Sequence, residues 1–100
     1  MGTPTLRQFR AFLTVIEAGS VSLAARALHL TQPAVSQQLR ELERAVGVRL
    51  LDRAAGRVIP NAAGTALLDP ARRAMAAAND AAVVAAEHGR GEMGRLRLGT

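Results

Sequence analysis

The chain has 100 residues and not one cysteine. A disulfide framework is therefore excluded, and the composition fits a globular protein of a reducing, cytoplasmic compartment. Lysine is missing as well: all 13 basic residues are arginine, against 8 acids. Guanidinium is a better fork than ammonium for phosphates and guanine edges, so the bias suits nucleic-acid work, though genome composition would produce it too. The only aromatics are two phenylalanines, which leaves no stacking platform for single strands. No apolar run approaches the roughly 20 residues of a membrane span, and no charged segment followed by a long apolar one opens the chain. The two histidines, His29 and His88, fall in different elements, and neither metal-ligand spacing nor a phosphate loop is present. An enzyme is the weakest reading, and no metal or cofactor is expected in this segment.

The positive charge is concentrated early. Through Val58 there are eight arginines against four acids, and afterwards five against four. The first helix is expected over Leu6–Ala18, with Leu6, Phe9, Phe12, Leu13 and Ile16 in one apolar stripe and Gly19 as its left-handed stop. Ser20 and Ser22 are alternative caps for a short second helix, Leu23–His29, whose alanines permit close approach. The third helix follows a tight connection. Thr31 is its cap, Pro33 lies in the first turn, and Gly47 ends it. Val35, Leu39, Leu42 and Val46 are spaced to face a core. Pro33, Gln37, Arg40 and Arg44 fall on the opposite side, flanked by Ser36 and Glu41. An exposed face carrying amides, a hydroxyl and guanidiniums can read base edges in a major groove: Arg suits guanine and Gln adenine. The same pattern also describes a solvated polar face.

Two helices joined by a short turn, the second bearing that face, form a helix-turn-helix at about residues 21–40. Two β-capable runs, Val48–Arg53 and Arg57–Ile59, surround the turn Ala54-Ala55-Gly56 and suggest a hairpin wing over about 49–60. Arg53 and Arg57 would flank its tip, within reach of phosphates or a minor groove. Asn61 is a cap for a fourth helix over about 62–88. Nine of the sixteen residues from Ala71 to Ala86 are alanine. Leu68, Ala71, Met75, Ala78, Ala82 and Ala85 repeat at three- and four-residue steps, a narrow seam for pairing with a second copy. The alternative is a helix lying on its own domain. Pro70 implies a kink in one continuous path, or a break with Asp69 capping a new helix; the kink is favoured. Three glycines within His88–Gly94 read as a hinge. Arg95–Thr100 alternates polar and apolar, like the first residues of a strand in a second domain that the chain does not include. The fold class is thus mainly α: residues 4–61 as three helices plus a two-stranded wing, 62–88 as a linker helix, and 89–100 as the hinge and the start of an effector domain. A helical adaptor that binds protein through the polar helix is the second functional reading. It accounts for the alanine seam but not for the basic wing.

Taken in order, Leu6-Arg7-Gln8-Phe9, Ala18-Gly19-Ser20, Ala24-Ala25, Gln32-Pro33-Ala34-Val35-Ser36, Leu42-Glu43, Gly47-Val48-Arg49-Leu50, Arg53 and Ala63-Gly64 resemble the N-terminal part of a LysR-type transcriptional regulator. The resemblance implies a winged helix-turn-helix and a linker helix that pairs two subunits. It also implies a separate domain that binds a small-molecule effector. Dimeric or tetrameric binding to an interrupted palindrome near a promoter is expected. Carried over by position, Gln32, Pro33, Ala34, Ser36, Gln37 and Arg40 would face the major groove. Ser22 and Thr31 would hold phosphates, and Arg53 would enter the minor groove. Val21 and Leu51 stand where the family often has an aromatic, and Pro60-Asn61-Ala62 replaces a usual Leu-Thr-acid entry to the linker helix.

Overall fold

The structure, a computed structural model, describes residues 2–99, with side chains as far as Arg90. The elements run α1 (Leu6–Ala18), α2 (Val21–Leu28), α3 (Gln32–Val46), β1 (Leu51–Ala54), β2 (Arg57–Pro60) and α4 (Ala62–Gly99). Local chemistry sets most of these limits. Thr5 and Gln8 cap α1 reciprocally: the Thr5 hydroxyl accepts the Gln8 N–H at 3.2 Å, and Gln8 Oε1 accepts the Thr5 N–H at 3.0 Å. Gly19 ends α1 at φ 80°, and Gly47 ends α3 at the same φ. The Ser20 hydroxyl accepts the Leu23 N–H, so α2 starts at Val21, two residues before the expected Leu23. Of the two serines weighed as caps, Ser20 takes the role. His29 lies outside α2 as its left-handed cap, at φ 57°.

Three helices enclose one core. Phe12, Val15, Val35 and Leu42 are its largest fully buried side chains, joined by Ala24, Ala25 and Leu39. Each large side chain buried in this way contributes on the order of 1.5–3 kcal/mol. Leu50 and Val58 extend the core beneath the hairpin, so the wing is packed and not free-standing. The strands are antiparallel with Leu51 opposite Pro60 and Ala54 opposite Arg57. Ala55 and Gly56 make the turn with φ of 53° and 76°, the two positive values of a type I′ hairpin turn.

Strand β1 begins at Leu51 and not at Val48, because at Leu50, which stands opposite Asn61, only one half of the cross-strand pair forms and the N–H is diverted to α3. The Leu50 N–H donates to Glu43 Oε2 at 2.7 Å and its carbonyl accepts the Asn61 N–H at 2.9 Å. Strand β2 is held on its other side, where the Val58 N–H reaches the Gly19 carbonyl at 3.1 Å. Asn61 caps α4 through the Gly64 N–H and ties it to the wing through the Arg49 carbonyl.

Helix α4 is one element with Pro70 inside it, which removes the alternative of a new helix capped by Asp69. It also continues past His88, through the hinge expected over 89–94 and the strand expected from Arg95, as far as Gly99. Glycine costs about 1 kcal/mol relative to alanine in a helix, yet a strand would need a partner, and the hairpin is the only sheet among the described residues. Thr100 lies outside the described residues.

Candidate nucleic-acid interface

Helix α3 presents the face that its spacing promised. Gln32, Pro33, Gln37 and Arg40 are exposed, Ser36 is half-buried, and Val35, Leu39 and Leu42 are buried on the reverse side. Thr31 caps this helix by accepting the Ala34 N–H at 3.2 Å, and its own hydroxyl proton stays available to a phosphate oxygen. Ser22 is exposed in the first turn of α2. Ala34 stands apart from this group. It is half-buried, beside a second depression shared with Arg7, Arg10, Leu30 and Gln38.

Between α3 and the wing runs a groove of about 520 Å³, lined among others by Ser36, Arg40, Glu43, Arg49 and Arg53. The fold thus brings Ser36 and Arg40 together with Arg53, which lie far apart in sequence. Arg49 joins them. From the sequence it belongs to the wing with no role assigned, because the anchoring of its neighbour Leu50 to Glu43 arises only on folding. Among the described residues, the ion pair present is Arg73–Asp69 on α4, at 3.1 Å, and none of the groove arginines has a carboxylate partner. Glu43 and Asp52 line the groove as well, so three guanidiniums outnumber two carboxylates and the cleft is net positive.

Arg57 is placed differently. It is exposed at the start of β2, but its guanidinium folds over the α1–α2 turn: a Cβ built on Gly19 would lie 3.5 Å from Nη2. It therefore does not line the groove with Arg53.

The expected pairing residues also divide. Ala71 is fully buried within its own chain, and Leu68 packs on the core of the three helices. Met75 and Ala78 are half-buried and share a depression with Leu6 and Arg10 of α1. Ala82 and Ala85 are exposed, together with Val83 at 47% and Val84 at 54%. The first part of α4 thus lies on its own domain, the alternative weighed for it, and the later part does not.

No described helix is long and apolar enough to cross a membrane, and no three potential metal ligands cluster among the described residues.

This arrangement has close parallels. The chain resembles ClcR of Pseudomonas putida, an HTH-type transcriptional regulator, at 40% identity over 92 residues, which cover 92% of this chain and 31% of that protein. The chain spans about a third of the length of the curated relatives it matches. Among solved structures it resembles a CbnR_DBD–DNA complex, with 35% identity, a TM-score of 0.78, and coverage of 85% of this chain and 98% of that one. It also resembles BenM_DBD in complex with benA site 1 DNA, with 28% identity, a TM-score of 0.79, and coverage of 87% and 98%. Residues 6–65, from the start of α1 to the first turn of α4, match the family described as "Bacterial regulatory helix-turn-helix protein, lysR family". With helix-turn-helix, wing and linker entry all inside that match, the chain belongs to the LysR family of bacterial helix-turn-helix regulatory proteins.

Proposed function

We propose that this chain is the DNA-binding segment of a transcriptional regulator, and that it grips promoter DNA with α3 in the major groove and the wing against the backbone or minor groove. The observation that carries this reading is the shared groove of Ser36, Arg40, Arg49 and Arg53, which sets a base-reading face beside unpaired arginines. A DNA major groove, about 12 Å wide, admits such a helix. Gln32, Pro33, Ser36, Gln37 and Arg40 are the residues assigned to base edges. Ser22, Thr31, Arg49 and Arg53 are assigned to phosphate or the minor groove. That similar structures are complexes with DNA supports double-stranded DNA as the partner.

We further propose that two copies pair through the later part of α4, from Ala82 onward, so that two copies of α3 meet an interrupted palindrome. Exposed Val83 and Val84 beside Ala82 and Ala85 offer apolar, small-residue contact there. In the whole protein, a domain beyond this segment would take a small-molecule effector and adjust that pairing, with a tetramer as the larger assembly.

The test is fluorescence anisotropy with a promoter duplex and a random duplex over a salt series. The reading requires tighter binding to the promoter and an affinity that falls steeply with salt, because released counterions accompany each phosphate contact. Equal, weak binding to both duplexes contradicts it. Sedimentation at rising concentration tests the pairing, and a monomer throughout contradicts that part alone.

A further inference from the structure

Gln37 and Glu41 sit one turn apart on α3, and their side chains are joined: Gln37 Nε2 donates to Glu41 Oε1 at 3.1 Å. An ionised carboxylate only accepts, so the amide must turn its nitrogen toward Glu41 and not its oxygen. One of the two amide hydrogens is then held by Glu41. The other remains beside Oε1, giving an outward pair of one acceptor and one donor. Adenine offers the complement, an N6 amino donor beside the N7 acceptor. Guanine offers two acceptors, O6 and N7, so the same edge sets Oε1 against one of them; an outward-turned NH2 group or an arginine fork suits guanine instead.

We propose that Glu41 is a positioning residue for base reading: it fixes which way the Gln37 amide faces and so commits Gln37 to adenine over guanine. The proposal rests on the reading of α3 as the base-contacting helix. Glu41 is half-buried at the flank of the exposed face, where it holds the amide without itself leading into the groove. Its negative charge weakens attraction to phosphate, and the orientation it imposes offsets that cost in specificity. A Gln37 without this partner is free to rotate its amide and accept either purine.

Selection from a randomised duplex pool tests the idea with this chain and its E41A, E41Q, Q37A and Q37A/E41A variants. Q37A identifies the base position that Gln37 reads, as the place where the preference for adenine disappears. At that position E41A is expected to lower the adenine-to-guanine ratio by about fivefold or more, the lower end of what a bidentate base contact contributes. E41Q keeps the size of the side chain but can donate as well as accept, so it too relaxes the ratio. It decides the matter should E41A fail to fold. In the Q37A background, removing Glu41 is expected to change no base preference. An unchanged ratio in E41A and E41Q, with Q37A altered, overturns the proposal and leaves base reading by Gln37 standing. A new preference lost only when Glu41 is removed from Q37A overturns it in favour of direct reading by Glu41. No change in any variant overturns both the proposal and the role of Gln37.

Discussion

Glu43 on the recognition helix and Leu50 at the root of the wing are tied directly: the carboxylate accepts the Leu50 N–H at 2.7 Å, with the Leu51 N–H at 3.4 Å. The bond fixes the wing relative to the face it must assist. Leu50 is 2% exposed, so Glu43→Ala strands a buried donor. That change is expected to cost about 1–3 kcal/mol, measured as a lowered urea midpoint with unchanged slope. Stability within about 0.5 kcal/mol of the parent, the usual range for an unimportant surface change, would deny the tie its structural role.

Gly64 is the second fixed point of the wing. A Cβ there would collide with the Leu50 carbonyl oxygen and lie 3.1 Å from Pro60 Cβ. Backbone held by the Asn61 N–H cannot retreat cheaply, so Gly64→Ala is expected to destabilise by at least about 1–3 kcal/mol despite the better helix propensity of alanine. Thermal unfolding followed by circular dichroism reads the effect, and a raised Tm contradicts the packing described.

Ala55 turns the hairpin at φ 53°, a region that costs a side chain about 1–2 kcal/mol. Ala55→Gly is expected to stabilise the wing by about 0.5 kcal/mol, after allowance for glycine's greater freedom in the unfolded chain. Its urea midpoint should rise. A fall would place the turn in another conformation.

The arginines separate by position. Arg40→Ala is expected to weaken specific binding by about 1–3 kcal/mol and to relax base choice at one position. Arg53→Ala should weaken all duplexes alike and reduce the salt slope by about one. Arg57, folded over Gly19, should matter less for DNA than Arg53. Matched anisotropy titrations of the three variants decide the order.

Local signals carried much of the fold. The apolar stripe of Phe9, Phe12, Leu13 and Ile16, though not Leu6, which is exposed, the left-handed glycines 19 and 47 and the caps Thr31 and Asn61 placed α1, α3 and the entry to α4, because each rests on groups within a turn of one another. Where two local signals competed, as between Ser20 and Ser22, the sequence could not choose between them. Side-chain placements across elements were less accessible. The hairpin register was constrained by its turn, but the anchoring of Leu50 by Glu43, and of Val58 by the Gly19 carbonyl, arises only after folding. Arg57 illustrates the consequence: a residue beside the turn in sequence lies over another element in space. Near the end of α4 the glycines report a helix cost of about 1 kcal/mol each, and the helix runs through them nonetheless. Within the candidate site, the face of α3 was legible from its 3.6-residue period, whereas the part played by Arg49 and the Gln37–Glu41 bond needed coordinates.

In the proposed complex α3 reads DNA sequence as one of a symmetric pair. Selection of binding sites from a random duplex pool tests it most directly. Enrichment of an inverted repeat, with half-sites one or more helical turns apart and lost in Arg40→Ala, is the predicted result. Retention of random duplexes with no enriched sequence would contradict it.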